Sequence, residues 1–140
     1  MENTSAKETL HTLKEMHLTP RDAAQDIRSR KIVDVDGASL GKIGGLIVDD
    51  QEHRVRFLRV TSGGFLGLGQ DEALIPVEAI TKIDDDVVLV NQTRERITGA
   101  PTYNPPLVDD RYYENIYGYY GLRPYWSTAG YIYPPYPFYL

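Results

Sequence analysis

Two stretches of the chain are apolar without interruption, Leu46-Ile47-Val48 and Val87-Val88-Leu89-Val90. A strand with one face in water alternates, so an unbroken β-branched run means that both of its faces are covered. A sheet curled on itself covers only the inner face. A further element must therefore lie on the outside. In Arg54-Val55-Arg56-Phe57-Leu58-Arg59-Val60 the apolar phase slips between Phe57 and Leu58, which predicts a bulge or a second buried side.

Around these stretches, short β-branched runs are punctuated by turn chemistry, which marks an all-β unit. Strands are expected near residues 31–35, 40–49, 54–61, 73–76, 81–83 and 87–91. Asp36-Gly37 supplies the positive φ angles of a tight hairpin, and residues 50–53 and 84–86 form polar corners. Gly44-Gly45 marks a bulge or a sharp bend in the second strand. Ahead of the strands, Leu10, Leu13, Met16 and His17 recur at helical spacing among Lys7, Glu8, Lys14 and Glu15. This predicts an amphipathic N-terminal helix. Thr19-Pro20-Arg21-Asp22 is a start signal for a second short helix over 23–28.

The aromatic residues divide the chain sharply. All eleven Tyr, the one Trp and Phe138 lie beyond residue 102, as do six of the nine Pro. The break falls near Thr98-Gly99-Ala100-Pro101. It separates an N-terminal helical segment (1–26) and a β domain (27–93) from a linker with a Tyr/Pro-rich extension (94–140). In the extension, Asp109-Asp110 is an acidic helix start, followed by Tyr113, Ile116, Tyr117 and Tyr120 at helical spacing and limited by Gly118 and Gly121. Beyond Pro124 the chain is Tyr and Pro with scarcely a charge, stiff and suited to laying rings on an apolar surface.

Composition excludes several classes. At 140 residues the chain is one domain, and no apolar run approaches the roughly 20 residues of a spanning helix. The start, with Glu2 and Glu8, is not a signal peptide, so a cytoplasmic, bacterial-type protein is expected. Without Cys there are no disulfides and no thiolate chemistry. The net charge of -5 sits in residues 31–93, which carry eleven acids against six bases. Such a segment repels a phosphate backbone, so duplex nucleic acid is not an expected partner.

The segments Val33-Asp34-Val35-Asp36-Gly37, Leu40-Gly41-Lys42-Ile43, Leu46-Ile47-Val48-Asp49 and Arg54-Val55-Arg56-Phe57-Leu58 follow one another in order. Gly63-Gly64-Phe65-Leu66-Gly67-Leu68-Gly69 and Leu74-Ile75-Pro76-Val77 continue them. Over about residues 27–92 the chain thereby resembles the PRC-barrel domain family. That family is the small β-barrel of the cytoplasmic part of the photosynthetic reaction-centre H subunit and of the ribosome-maturation factor RimM. Asp36, Gly37, Gly41, Gly63, Gly64, Gly67, Gly69 and Pro76 form the signature. The resemblance implies a module that docks partner proteins and has no shared catalytic residue. Neither named role carries over directly: the H subunit has a membrane-spanning helix where this chain has its charged residues 2–30, and RimM has an extra N-terminal domain. A RimM-like RNA-processing role and a reaction-centre-like accessory role in electron transfer rank third.

Chemical motifs yield to plainer readings. Gly63 to Gly69 lacks the Gly-Lys-Ser/Thr end of a phosphate loop. Asp34-Val35-Asp36-Gly37 lacks the later ligands of a calcium loop. Asp84-Asp85-Asp86 is a solvated corner, since consecutive residues point different ways. His11, Glu15 and His17 miss the spacing of a zinc helix, and His53 stands alone in a turn. With no nucleophile set beside a base, the expectation is a non-enzymatic protein holding no metal and no cofactor.

The functional residues are then the rings of the extension: Tyr112, Tyr113, Tyr117, Tyr120, Tyr125, Trp126, Tyr131, Tyr133 and Tyr136. Three placements stay open for them. They pack on the chain's own barrel, exchange with a second copy in a homodimer, or bind external ligands. The expected function is a protein-interaction or assembly module with a protein partner. The alternative is a ligand-binding module stacking glycans or single-stranded nucleic acid on the arm.

Overall fold

The computed structural model describes residues 10–12, 26–50, 54–61, 72–103 and 109–127. Among these residues seven strands run in chain order: β1 (Leu10–Thr12), β2 (Lys31–Val33), β3 (Ser39–Asp49), β4 (Arg54–Thr61), β5 (Glu72–Pro76), β6 (Ile80–Ile83) and β7 (Val87–Val90). A 3-10 turn, Val77–Ala79, joins β5 to β6, and two helices follow, α1 (Arg94–Thr98) and α2 (Asp110–Tyr120). Six of the strands begin and end within two residues of their expected positions. The two residues lost from β2 are Asp34, which is buried, and Val35, which sits exposed in the turn. Gly37 alone takes a positive φ there, at 86°, so the expected pair of positive angles at Asp36-Gly37 is reduced to one.

The sheet order is β5-β4-β3-β2-β7-β6, with β1 also on β3. β4 occupies one edge of the long β3 from Lys42 to Asp49. The other edge is shared: β2 pairs along residues 39–42 and β1 along residues 47–49. β2 and β7 are parallel, and the other ladders are antiparallel. The two end strands, β5 and β6, are consecutive in the chain and separated by only three residues. The sheet must therefore curl to bring its ends together. It does not close into the expected barrel, because no ladder joins β5 to β6 among the described residues.

The expected N-terminal helix also gives way. Leu10–Thr12 is a strand, because the free half of the β3 edge offers its backbone three partners and buries Leu10. Leu13, Met16 and His17 lie outside the described residues. A helix over 23–28 is likewise absent at its described end: Arg28 and Ser29 form a turn, with Ser29 at φ 73°, and Ile27 is buried beside it.

Register explains why the central strands are apolar on both faces. Ile43, Leu46 and Val48 of β3 share a face with Val60, Leu58 and Val55 of β4 and with Ala73 and Ile75 of β5. Ile47, Phe57, Leu74 and Pro76 share the opposite face. All these residues are buried. Two extra residues shift the ladder, Gly44 in β3 and Arg56 in β4. The first is the bulge expected at Gly44-Gly45; the second lies one position before the expected slip. β7 behaves differently, since Val88 and Val90 are buried while Val87 and Leu89 are half-buried. Among the described residues that run is covered fully on one face, and its ladder partners are β6 and β2.

Helix α2 covers the Phe57 face. Asp109 caps it, its Oδ1 accepting the Tyr112 N–H at 2.9 Å, and Asp110 adds favourable charge to the first turn. Gly121, at φ 70°, ends it in the left-handed conformation, whereas Gly118 lies within the helix instead of limiting it. The expected stripe, Tyr113, Ile116, Tyr117 and Tyr120, is buried.

Candidate functional site

The aromatic residues assemble on the outer face of β4. Phe57 meets Tyr113 and Tyr117 at ring-centroid distances of 5.5 and 5.2 Å. From Tyr113 the rings continue through Tyr112 (5.8 Å) to Tyr103 (6.2 Å), whose N–H donates to the Glu72 carbonyl and covers that end of the β5 edge. From Tyr117 they continue to Trp126 at 5.5 Å and on to Tyr125 at 5.1 Å. Edge-to-face contacts of this kind contribute about 0.5–1.5 kcal/mol each beyond the area they bury.

Arg56 holds the far end of this array. As the bulge residue of β4 it leaves the strict alternation of the strand. Its guanidinium donates to Asp49 Oδ2 at 3.3 Å, both side chains being almost fully buried, and lies 4.0 Å from the centre of the Tyr125 ring. A buried charge needs such company, and here a carboxylate and a ring face supply it. A second clasp joins the helices. Arg96 of α1 donates to the Tyr119 carbonyl and lies 4.6 Å from that ring, while the Tyr119 hydroxyl donates back to the Arg96 carbonyl.

The remaining polar chemistry holds the fold. Asp34, only 2% exposed, accepts the N–H groups of Asp36 and Ala38 on Oδ1 and that of Arg94 on Oδ2. Burial opposes its charge, but backbone hydrogen bonds from Ala38, Arg94 and Asp36 outweigh this and hold the carboxyl below its usual range. Arg28 does the same for Asp26, mainly through side-chain hydrogen bonding. Burial, reinforced by neighbouring phenols, pushes the Tyr112 and Tyr120 hydroxyls well above the normal phenol value. Both phenols therefore keep their protons. Among the described residues no three His, Asp or Glu side chains gather into a metal-sized group, and no helix is long and apolar enough to cross a membrane.

The ring residues read from the sequence thus occupy different levels. Tyr113, Tyr117 and Tyr120 are buried on the chain's own sheet, Tyr112 and Tyr125 are half-buried, and Trp126 is 40% exposed. Tyr131, Tyr133 and Tyr136 lie outside the described residues. Of the signature positions, Asp36 and Gly37 form the β2–β3 turn, Gly41 faces Ile32 at φ 120°, and Pro76 pairs with Phe57. Gly63, Gly64, Gly67 and Gly69 lie outside the described residues. Sequence reading passed over Arg56 and Asp49 as binding partners. Their one signal was the phase slip in β4, which moves a charged residue out of the solvent face.

No curated protein matches the chain. The profile of the PRC-barrel domain matches residues 21–97, more than half of the sequence and the stretch from before β2 to within α1. On that match, and with a curled, strand-rich sheet to go with it, the chain belongs to the PRC-barrel domain family.

Proposed function

We propose that the protein is a non-enzymatic interaction and assembly module, in which the barrel-type sheet is the scaffold and the aromatic arm carries the contact surface. The observation that carries this reading is the way the arm is divided. Tyr113, Tyr117 and Tyr120 are committed to the sheet, and Trp126 is left with its ring at the surface. The buried polar groups support it, since Asp34, Asp49 and Arg56 are spent on backbone amides and on each other. A photocrosslinking residue placed at exposed Thr102 or Asn115, beside the arm, tests it in the cells that make the protein. A discrete protein adduct from these positions, and none from Lys82 on the far strand β6, is the expected result. Absence of any discrete adduct from the arm positions would refute it.

One observation favours a second reading. An open indole is also what a sugar or an unpaired base stacks on. Quenching of Trp126 fluorescence by oligosaccharides or single-stranded oligonucleotides, at concentrations where the crosslinks are absent, would move that reading to first place.

A further inference from the structure

The first and last described segments of the chain meet at the C-terminal end of β3. Directly opposed residues of an antiparallel ladder share a face, so Leu10 lies beside Asp49, and Thr12 beside Ile47, on the outer face that the aromatic rings cover. Leu10 is the buried residue of β1. His11, on the opposite face, holds Asp50, its Nε2 standing 3.1 Å from Oδ2.

Asp49 and Arg56 therefore form a pair with two covers. Leu10 opposes Asp49 along the ladder; the Tyr125 ring lies 4.0 Å from the Arg56 guanidinium, which donates to Asp49 Oδ2 at 3.3 Å. Tyr125 in turn carries Trp126 at 5.1 Å. Attraction between a carboxylate and a guanidinium is strong while water is kept out and falls severalfold once it enters. A cover that dries one side makes the pair hold better, and a firmer pair gives the other cover a firmer seat. Of the two, β1 is the cover with least to hold it. It has three residues, one of them buried, and its ladder among the described residues is to β3 alone. An element with so little burial opens well below the free energy of global unfolding.

We propose that β1 is a strap whose docking locks the Tyr125–Trp126 corner through the Asp49–Arg56 pair. With β1 on the β3 edge the pair is dry and Tyr125 is seated; with β1 off, the pair hydrates and the corner loosens. Linkage makes the effect mutual, so whatever holds the corner also holds β1. The device couples the start of the chain to the end of the aromatic array. It is a property of this chain by itself and stands whatever the arm binds.

The test uses the full chain with no partner present. Hydrogen exchange followed by NMR reads β1 through the amides of Leu10, His11 and Thr12, with the amides of the β2–β7 seam as the reference. Tyr125→Ala should speed exchange in β1 at least about fivefold and leave the seam unchanged. Tyr125→Phe, which keeps the ring over the guanidinium, should keep the wild-type rate. In the other direction, Leu10→Ala should shift the emission of Trp126, the single tryptophan, to the red and lower its anisotropy. Asp49→Asn should move both readouts together. Exchange in β1 indifferent to Tyr125→Ala, emission indifferent to Leu10→Ala, or a Tyr125→Phe chain that behaves like Tyr125→Ala overturns the proposal. So do β1 amides that exchange at the free-peptide rate in the wild type, and equal acceleration of β1 and the seam, which is loss of global stability. None of these results touches the crosslinking test at Thr102 and Asn115, so failure here is distinct from failure of the assembly reading.

Discussion

Replacing Asp34 with Ala should cost the protein about 3 kcal/mol. The carboxylate accepts three backbone N–H groups at 2.9, 2.7 and 2.9 Å, two from its own turn and one from Arg94, 60 residues away. Hydrogen bonds to a charged acceptor contribute about 1.5–3 kcal/mol each. Asp36 and Arg94 are exposed residues, and water recovers part of what their amides lose. For a chain of this size that loss corresponds to a melting temperature lower by about 10 °C. Asp34→Asn should cost less, since the amide keeps one acceptor while its NH2 turns a donor against a donor. The pH dependence sets a second condition. The folded pKa of Asp34 lies below its unfolded value, so its contribution is complete above the ordinary carboxylate range and is lost as pH falls through the folded value. Urea denaturation followed by circular dichroism should therefore give a constant gap between the wild type and Asp34→Ala from about pH 7 to 5, narrowing below about pH 4. A gap under 1 kcal/mol at neutral pH, or one unchanged in acid, would refute the reasoning.

Truncation after residue 102 removes α2 and should leave Ile47, Phe57 and Leu74 as an exposed apolar patch; light scattering is expected to show concentration-dependent aggregation, and calorimetry a lower melting temperature. Arg56→Ala strips a buried carboxylate of its cation and should destabilise by about 3–5 kcal/mol, with Asp49→Asn in the same chain restoring part of the loss in a double-mutant cycle. Gly45→Ala places a methyl 2.8 Å from Arg59 Nε. The long side chain can swing away, so a cost of only about 1 kcal/mol is expected, read as a small shift in urea midpoint with loss of the Arg59–Glu72 contact in the NMR spectrum.

Much of the sheet was legible because its signals are local. β-branched runs and turn residues at fixed offsets placed six strands, and the unbroken run Leu46-Ile47-Val48 announced a covering element before any helix was known. The stripe of Tyr113, Ile116, Tyr117 and Tyr120 then identified that element, since its period matches a helix face. What stayed hidden depends on distant partners. Leu10 carries a helical pattern, yet the vacant half of the β3 edge decides its conformation, and nothing near residue 10 reveals that edge. The missing ladder between β5 and β6 among the described residues likewise depends on how strands far apart in the chain meet, which the bulge signal at Gly44-Gly45 alone does not fix. Arg56 reads as a solvent-facing charge until the bulge is known to turn it towards Asp49 and Tyr125. The same holds for Asp34, a turn residue by its neighbours, whose third hydrogen bond comes from the far end of the domain.

The parallel pairing of β2 with β7 sets a kinetic order. β3, β4 and β5 are successive antiparallel strands, whereas Lys31 meets Val87 only after the whole span that contains β3 to β6 has been gathered. Closing so long a loop gives no return until the strands on either side are in place, so the β3–β4 hairpin forms early and the β2–β7 seam late. Contacts made after the transition state control unfolding and not folding. Weakening the seam, or the Asp34–Arg94 bond at its end, should shorten the lifetime of the folded protein while leaving its folding rate nearly unchanged. Loss of packing at Ile47 or Leu58 should do the reverse.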